Sequence, residues 1–155
     1  MMQRSEDLVA GRRAAMTILA RSDAASIERG LAAADCEAEF IDLRGPEVGL
    51  VMLRGRIGGN GAPFNVGEAA VTRAAVQLAS GEQGFAYILG RDAKKARLAA
   101  ICDALWQAKK SRDRIERHVL APLRAALELR LQRECERAAA TKVDFFTLVR
   151  GEDEP

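Results

Sequence analysis

The hydrophobic positions fall into three regimes of spacing. In the first third, Leu8, Ala15, Ile18 and Leu19 recur on one side at helical spacing, and Ser22-Asp23 interrupts them. Asp23 is placed to cap a second, shorter helix through Ile27 and Leu31 that ends near Ala34. Neither helix carries enough apolar surface to stand alone, so both are expected to pack on a sheet or a partner.

From Cys36 the period shortens. Glu39, Ile41 and Leu43 alternate with Phe40, Asp42 and Arg44, as in a strand, and Gly45-Pro46-Glu47 reads as the turn that ends it. Val48 to Arg56 is a nearly continuous apolar run with β-branched Val48 and Val51, predicted to be a central strand ending in Arg54-Gly-Arg56. Val66 to Ala79 supports two patterns. Asn65-Val-Gly-Glu68 imitates a helix capping box, whereas Val71-Thr72-Arg73 and Val76-Gln77-Leu78 alternate. A short Gly-bounded loop leads on to the strand Phe85 to Leu89, which favours a hairpin and hence a strand over 66–79.

Helical spacing returns at Asp92, a candidate cap for a helix whose stripe is Leu98, Ile101, Leu105 and Ala108. Ile115, Val119, Leu123, Leu127, Leu131 and Cys135 continue at every fourth position as a core stripe, with a break or kink expected at Pro122. Val143-Asp-Phe-Phe-Thr-Leu-Val149 turns apolar again before an acidic end. The pattern predicts one α+β domain over residues 1–142. An antiparallel sheet of about four strands is flanked by N-terminal and C-terminal helices, and an apolar tail, 143–155, docks on a partner through Phe145 and Phe146. Adjacent aromatics on a strand face opposite sides, so one of the two needs cover from elsewhere; folding back on its own sheet edge is the alternative.

Composition narrows the function. With 155 residues, 48% apolar, 30% charged and a formal net charge of +2, the chain is an ordinary globular one. So small a basic excess argues against nucleic acid as the main partner, and 5% aromatics argue against a base-stacking surface. Arg4, Glu6, Asp7, Arg12 and Arg13 interrupt the first twenty residues, so neither a signal peptide nor a membrane anchor is expected. Cys36, Cys102 and Cys135 are widely spaced and form no Cys-x-x-Cys pair, which suits a reducing cytoplasm. They read as small hydrophobes. His118 is the only histidine, so no metal site is expected, and it reads as a packing residue rather than a base.

Two stretches could carry chemistry. Gly58-Gly59-Asn60-Gly61 can expose backbone N–H groups to an anion, and Arg54, Arg56 and Arg73 could add forked donors. It is no P-loop, lacking Gly-Lys-Ser/Thr, and it fails the dinucleotide spacing. An ordinary hairpin turn at Asn60-Gly61 with solvated arginines explains the same residues equally well. The second stretch is Gly90-Arg91-Asp92 with Lys94, Lys95 and Arg97. Cations in a helix's first turn oppose its dipole, which a bound anion would relieve; a solvated, screened face is the bland alternative. Glu68 is expected to form an ion pair with Arg73.

These stretches resemble a known family. Gly49 to Glu68, Thr72-Arg73-Ala-Ala-Val76, Gly90-Arg91-Asp92, Asp103-Ala-Leu105, Ala121-Pro-Leu123 and Val143 to Gly151 are similar, in order, to the PhnG family. These are the small G subunits of the bacterial carbon–phosphorus lyase system. The resemblance implies a cytoplasmic, non-autonomous subunit working with subunits H, I, J and L, most directly with I. Together they join a phosphonate to the ribose of ATP and release adenine. It implies no cofactor in this chain: the iron–sulfur cluster and S-adenosylmethionine belong to subunit J. No catalytic residue is carried over. The resemblance instead supports Arg54, Arg56, Gly58, Gly59, Gly61, Asn65, Arg73 and Arg91 as an anion, phosphonate or partner-binding set. A structural subunit that organises the complex without touching substrate is the alternative.

Overall fold

The computed structural model describes residues 2–36, 38–58 and 60–142. Gly59, Phe145, Phe146 and the whole tail from 143 lie outside the described residues. Helices α1 (Met2–Arg21) and α2 (Ala24–Ala34) lead into a meander of β1 (Phe40–Arg56), β2 (Pro63–Leu78) and β3 (Gln83–Leu89), followed by α3 (Ala93–Gln107). A short helix α4 (Arg112–Ile115) and a π-helical segment (Glu116–Leu120) then enter α5 (Ala121–Ala140). The fold is α+β, with an antiparallel sheet in the order β1-β2-β3.

The first helices form as their caps and stripes require. Asp23 accepts the Ser26 N–H at 2.8 Å and starts α2. Asp35, in the left-handed region at φ 46°, closes it by donating its N–H to the Ala32 carbonyl. Ala15, Ile18, Leu19 and Ile27 are buried, whereas Leu8 stays exposed. Asp92 caps α3 by accepting the Lys95 N–H at 2.9 Å.

The sheet has three strands among the described residues, not about four. Gly45-Pro46-Glu47 does not turn the chain; β1 runs through it, with register shifts between Asp42 and Arg44 and between Arg44 and Glu47. Among the described residues β1 pairs only with β2. Pro46 has no N–H to give, and an edge strand with bulges is where a sheet tolerates that loss. The strand reading of 66–79 holds, because its alternate residues Thr72, Ala74, Val76 and Leu78 all reach the core. Asn65 and Glu68 therefore cap no helix.

One face of the sheet carries the core. Val76, Leu78, Ala86 and Ile88 meet Ala96, Ala99, Ala100 and Ala104 of α3. The alanines let helix and sheet approach closely: a Cβ on Gly84 would collide with the Ala100 carbonyl. The kink expected at Pro122 is realised as the π-helical segment just before it. Beyond that point the fourfold stripe loses its cover. Ile115, Val119 and Leu123 are buried, Leu127 is half-buried, and Leu131 and Cys135 are exposed, so the distal part of α5 is not core as the spacing predicted.

Candidate functional site

β2 outruns β3. Pairing with β3 covers Val71 to Gln77, whereas pairing with β1 continues to Pro63. Leu50–Arg56 and Pro63–Ala70 therefore form a two-stranded arm beyond the helical layer. Along β1 the face that holds the core further back carries Val48, Leu50 and Met52, then Arg54 and Arg56. Val66 is the extra residue of a bulge opposite Leu53 and Arg54. It lies with Phe64 on the opposite face, where a Cβ on Gly55 would meet both. Leu50, Met52, Leu53, Phe64 and Val66 are all exposed, as is Val48 at the arm's base, so the arm is apolar and uncovered on both faces among the described residues. An isolated hairpin of this kind is marginal in water.

At the tip, Arg54 stands opposite Asn65 and Arg56 opposite Pro63. The side chains of Arg54, Arg56 and Asn65 are exposed and make no ion pair or hydrogen bond among the described residues. The loop amides are less available than the glycine run suggested. Asn60 donates its N–H to the Gly58 carbonyl at 2.8 Å, and Gly61 donates to Ile57 at 2.9 Å. Gly58 takes the positive φ, at 60°, and a Cβ on Gly61 would strike the Ile57 carbonyl. Of the described loop amides, those of Asn60 and Gly61 are thus already bonded within the turn, and the side-chain donors of Arg54, Arg56 and Asn65 stand free.

Arg73 does not join them. It pairs across the sheet with Glu47, roughly 30 Å from the tip at about 3.3 Å per residue. On the open face it donates to Glu47 and to the Tyr87 hydroxyl, and Glu47 also holds Arg44 at 3.0 Å. Glu68, the expected partner of Arg73, stands instead opposite Met52 on the arm. Arg44, Arg73, Leu43, Phe85 and Tyr87 line a shallow depression of about 360 Å³ on this face.

The second stretch is neither an anion site built from its lysines nor a merely solvated face, because its cations bond to other elements. Lys94 pairs with Glu28 at 2.7 Å, Lys95 donates to the Ala20 carbonyl at 2.6 Å, and Arg97 forks onto Asp42 at 2.9 and 3.1 Å. These cations fasten α3 to α1, α2 and β1. Arg91 remains exposed, without a partner among the described residues.

Comparison with known proteins shows the family. Residues 10–151 match the family described as phosphonate metabolism protein PhnG. The chain is also 49% identical over 145 residues to the alpha-D-ribose 1-methylphosphonate 5-triphosphate synthase subunit PhnG of Rhizobium meliloti (strain 1021). That alignment covers 94% of this chain and 92% of the relative. The chain belongs to the PhnG family.

Two residues of this PhnG-family chain matter more than its spacing suggested. Thr72 is fully buried; its hydroxyl donates to the Gly90 carbonyl at 2.7 Å and accepts the Asp92 N–H at 3.0 Å. It thereby fixes the corner from β3 into α3, and Thr72-Arg73 and Gly90-Arg91-Asp92 meet in space. Asp103 is buried, forked by Arg12 at 2.8 and 2.7 Å and bonded by the Phe85 N–H at 2.8 Å. The bond to Asp103 holds the Arg12 guanidinium above its usual pKa. The available signal was a lone carboxylate inside the apolar run Leu98 to Trp106. Both residues do structural work in this PhnG-family fold, Thr72 at the base of the arm and Asp103 under the sheet. Among the cysteines, Cys102 is buried, and burial pushes its thiol pKa far up; Cys36 is half-buried and Cys135 exposed. Among the described residues no helix is long and apolar enough to cross a membrane.

Proposed function

We propose that this chain is a non-autonomous, cytoplasmic subunit of a carbon–phosphorus lyase complex. It supports transfer of ribose 5-triphosphate from ATP to a phosphonate with release of adenine. Its partners are subunits H, I, J and L, with I the most direct. The observation that carries the reading is the arm: apolar on both faces, and ended by Arg54, Arg56 and Asn65 with no acid against them among the described residues. Guanidinium groups in that setting suit a phosphonate or triphosphate oxygen, and a second subunit would complete the pocket. Iron–sulfur and S-adenosylmethionine chemistry belongs to another subunit, and no residue here is assigned a proton to move.

The test uses the full set of subunits with Arg54→Ala or Arg56→Ala in this chain. The reading expects assembly to persist and formation of the ribosyl triphosphate product to fall at least tenfold. Unchanged product formation rejects the direct contact. The exposed apolar residues of the arm favour a second reading, an assembly subunit that never touches substrate. Under it the same substitutions weaken co-purification and leave the product formed per assembled complex unchanged.

A further inference from the structure

The outer edge of β1 can be read from two backbone bonds. Gly90 donates its N–H to the Ala70 carbonyl, and Ala79 donates to Glu39. In an antiparallel ladder the N–H and C=O of one residue point the same way, and the direction alternates along the strand. Ala70 therefore faces β3, while Ala69 and Val71 face β1. Leu50 stands opposite Ala70, so its own N–H and C=O point away from β2. Val48 and Met52 follow by alternation. So do Arg54 and Arg56, because the bulge beyond Leu53 places its extra residue on β2. Five residues thus present hydrogen-bonding groups that are open among the described residues on one edge, and their side chains share one face.

The two halves of that edge are treated differently. Between Asp42 and Glu47 it is broken by two register shifts, carries Pro46, and is overlaid by Arg97 from α3, which forks onto Asp42. Those are the usual guards of an edge strand. Val48 to Met52 has none of them, and Val48, Leu50 and Met52 are 52, 61 and 52% exposed.

We propose that the Val48–Arg56 edge of β1 receives an extended segment of a different protein as a fourth strand. That segment is apolar where it passes Val48, Leu50 and Met52, and it carries a carboxylate where it passes Arg54. Main-chain bonds supply affinity and alternate side chains supply register, as in strand addition generally. The charge pattern argues against a second copy. Antiparallel self-pairing centred on Met52 would set Arg54 against Leu50 and Arg56 against Val48, whereas an acid beside Arg54 complements it. The proposal rests on the second reading, of this chain as an assembly subunit, and adds how it is held; Arg54 then meets a partner's carboxylate rather than a substrate oxygen.

Residue-resolved amide hydrogen exchange on the full chain, alone and assembled with its partner subunits, tests it. The amides of Leu50, Met52 and Arg54 should exchange at least tenfold more slowly in the complex. Those of Val51 and Leu53, which face β2, should be protected in both states. A complex that forms while Leu50, Met52 and Arg54 exchange as in the free chain overturns strand addition and leaves the subunit reading standing. Failure of any complex to form removes both. Protection in the isolated chain that rises with its concentration places a second copy on the edge and also overturns the proposal. Leu50→Pro, which removes one outward N–H and spares the ladder to β2, should cut partner affinity at least tenfold. A folded Leu50→Pro chain that binds like wild type contradicts it.

Discussion

The same two strands run through two unlike environments. In the body, β1 and β2 continue into β3, one face is sealed by α3, and four cations are matched, Arg12 to Asp103, Arg73 to Glu47, Lys94 to Glu28 and Arg97 to Asp42, though Arg91 is unmatched among the described residues. In the arm, two strands carry Leu50, Met52, Leu53, Phe64 and Val66 into solvent. They end in Arg54, Arg56 and Asn65, which are unmatched among the described residues. Both regions are apolar and β-branched, so hydrophobic pattern alone does not distinguish them. What differs is the cover: in the body one face is buried under α3 while the other leaves Phe85, Tyr87 and Leu89 exposed, whereas in the arm neither face is covered among the described residues.

Substitutions can sharpen or break that contrast. The largest effect is expected in the body: Ile88→Ala empties a fully buried site under α3 and should cost about 2–5 kcal/mol by denaturant unfolding of the isolated chain. Next comes Asp103→Ala, which strands the Phe85 N–H and the half-buried Arg12; about 2–3 kcal/mol is expected, discounted because Arg12 is partly exposed. Thr72→Val keeps the shape and leaves Gly90 O and Asp92 N–H without their partner, for about 1–2 kcal/mol.

Asp23→Ala should remove about 1 kcal/mol through the lost cap. Its effect carries a sign in pH. The Ser26 backbone bond lowers the Asp23 pKa in the folded chain. The stabilisation is therefore present above the ordinary carboxylate range and fades as pH falls through it, so mutant and wild type should converge in acid. The smallest effect belongs to the arm: Leu50→Ser with Met52→Ser should change the stability of the isolated chain by no more than about 0.5 kcal/mol. A cost there comparable to Ile88→Ala would erase the distinction.

Much of the body was legible in the sequence because its signals are local. Asp23 and Asp92 announce their helices by cap chemistry, and Gly81, at φ 103°, marks the β2–β3 turn. Gly45-Pro46 misled because proline ends a central strand but not an edge strand, and edge position is a property of the whole sheet. The site was legible in part. Arg54, Arg56 and Asn65 meet because hairpin partners are neighbours by construction. Arg73 was grouped with them by proximity in the chain, yet an extended strand carries near residues far apart. Asp103 and Thr72 could not be ranked by spacing, since their partners Arg12 and Gly90 come from other elements. Leu131 and Cys135 continue a helical stripe that nothing in this chain covers among the described residues.

The most direct measurement compares the Leu50→Ser, Met52→Ser chain with wild type in affinity for the partner subunits, using material whose thermal unfolding is unchanged. If the arm is the part of this chain that another protein covers, affinity falls at least tenfold while the body melts as before. Wild-type affinity in a chain so altered would contradict the account.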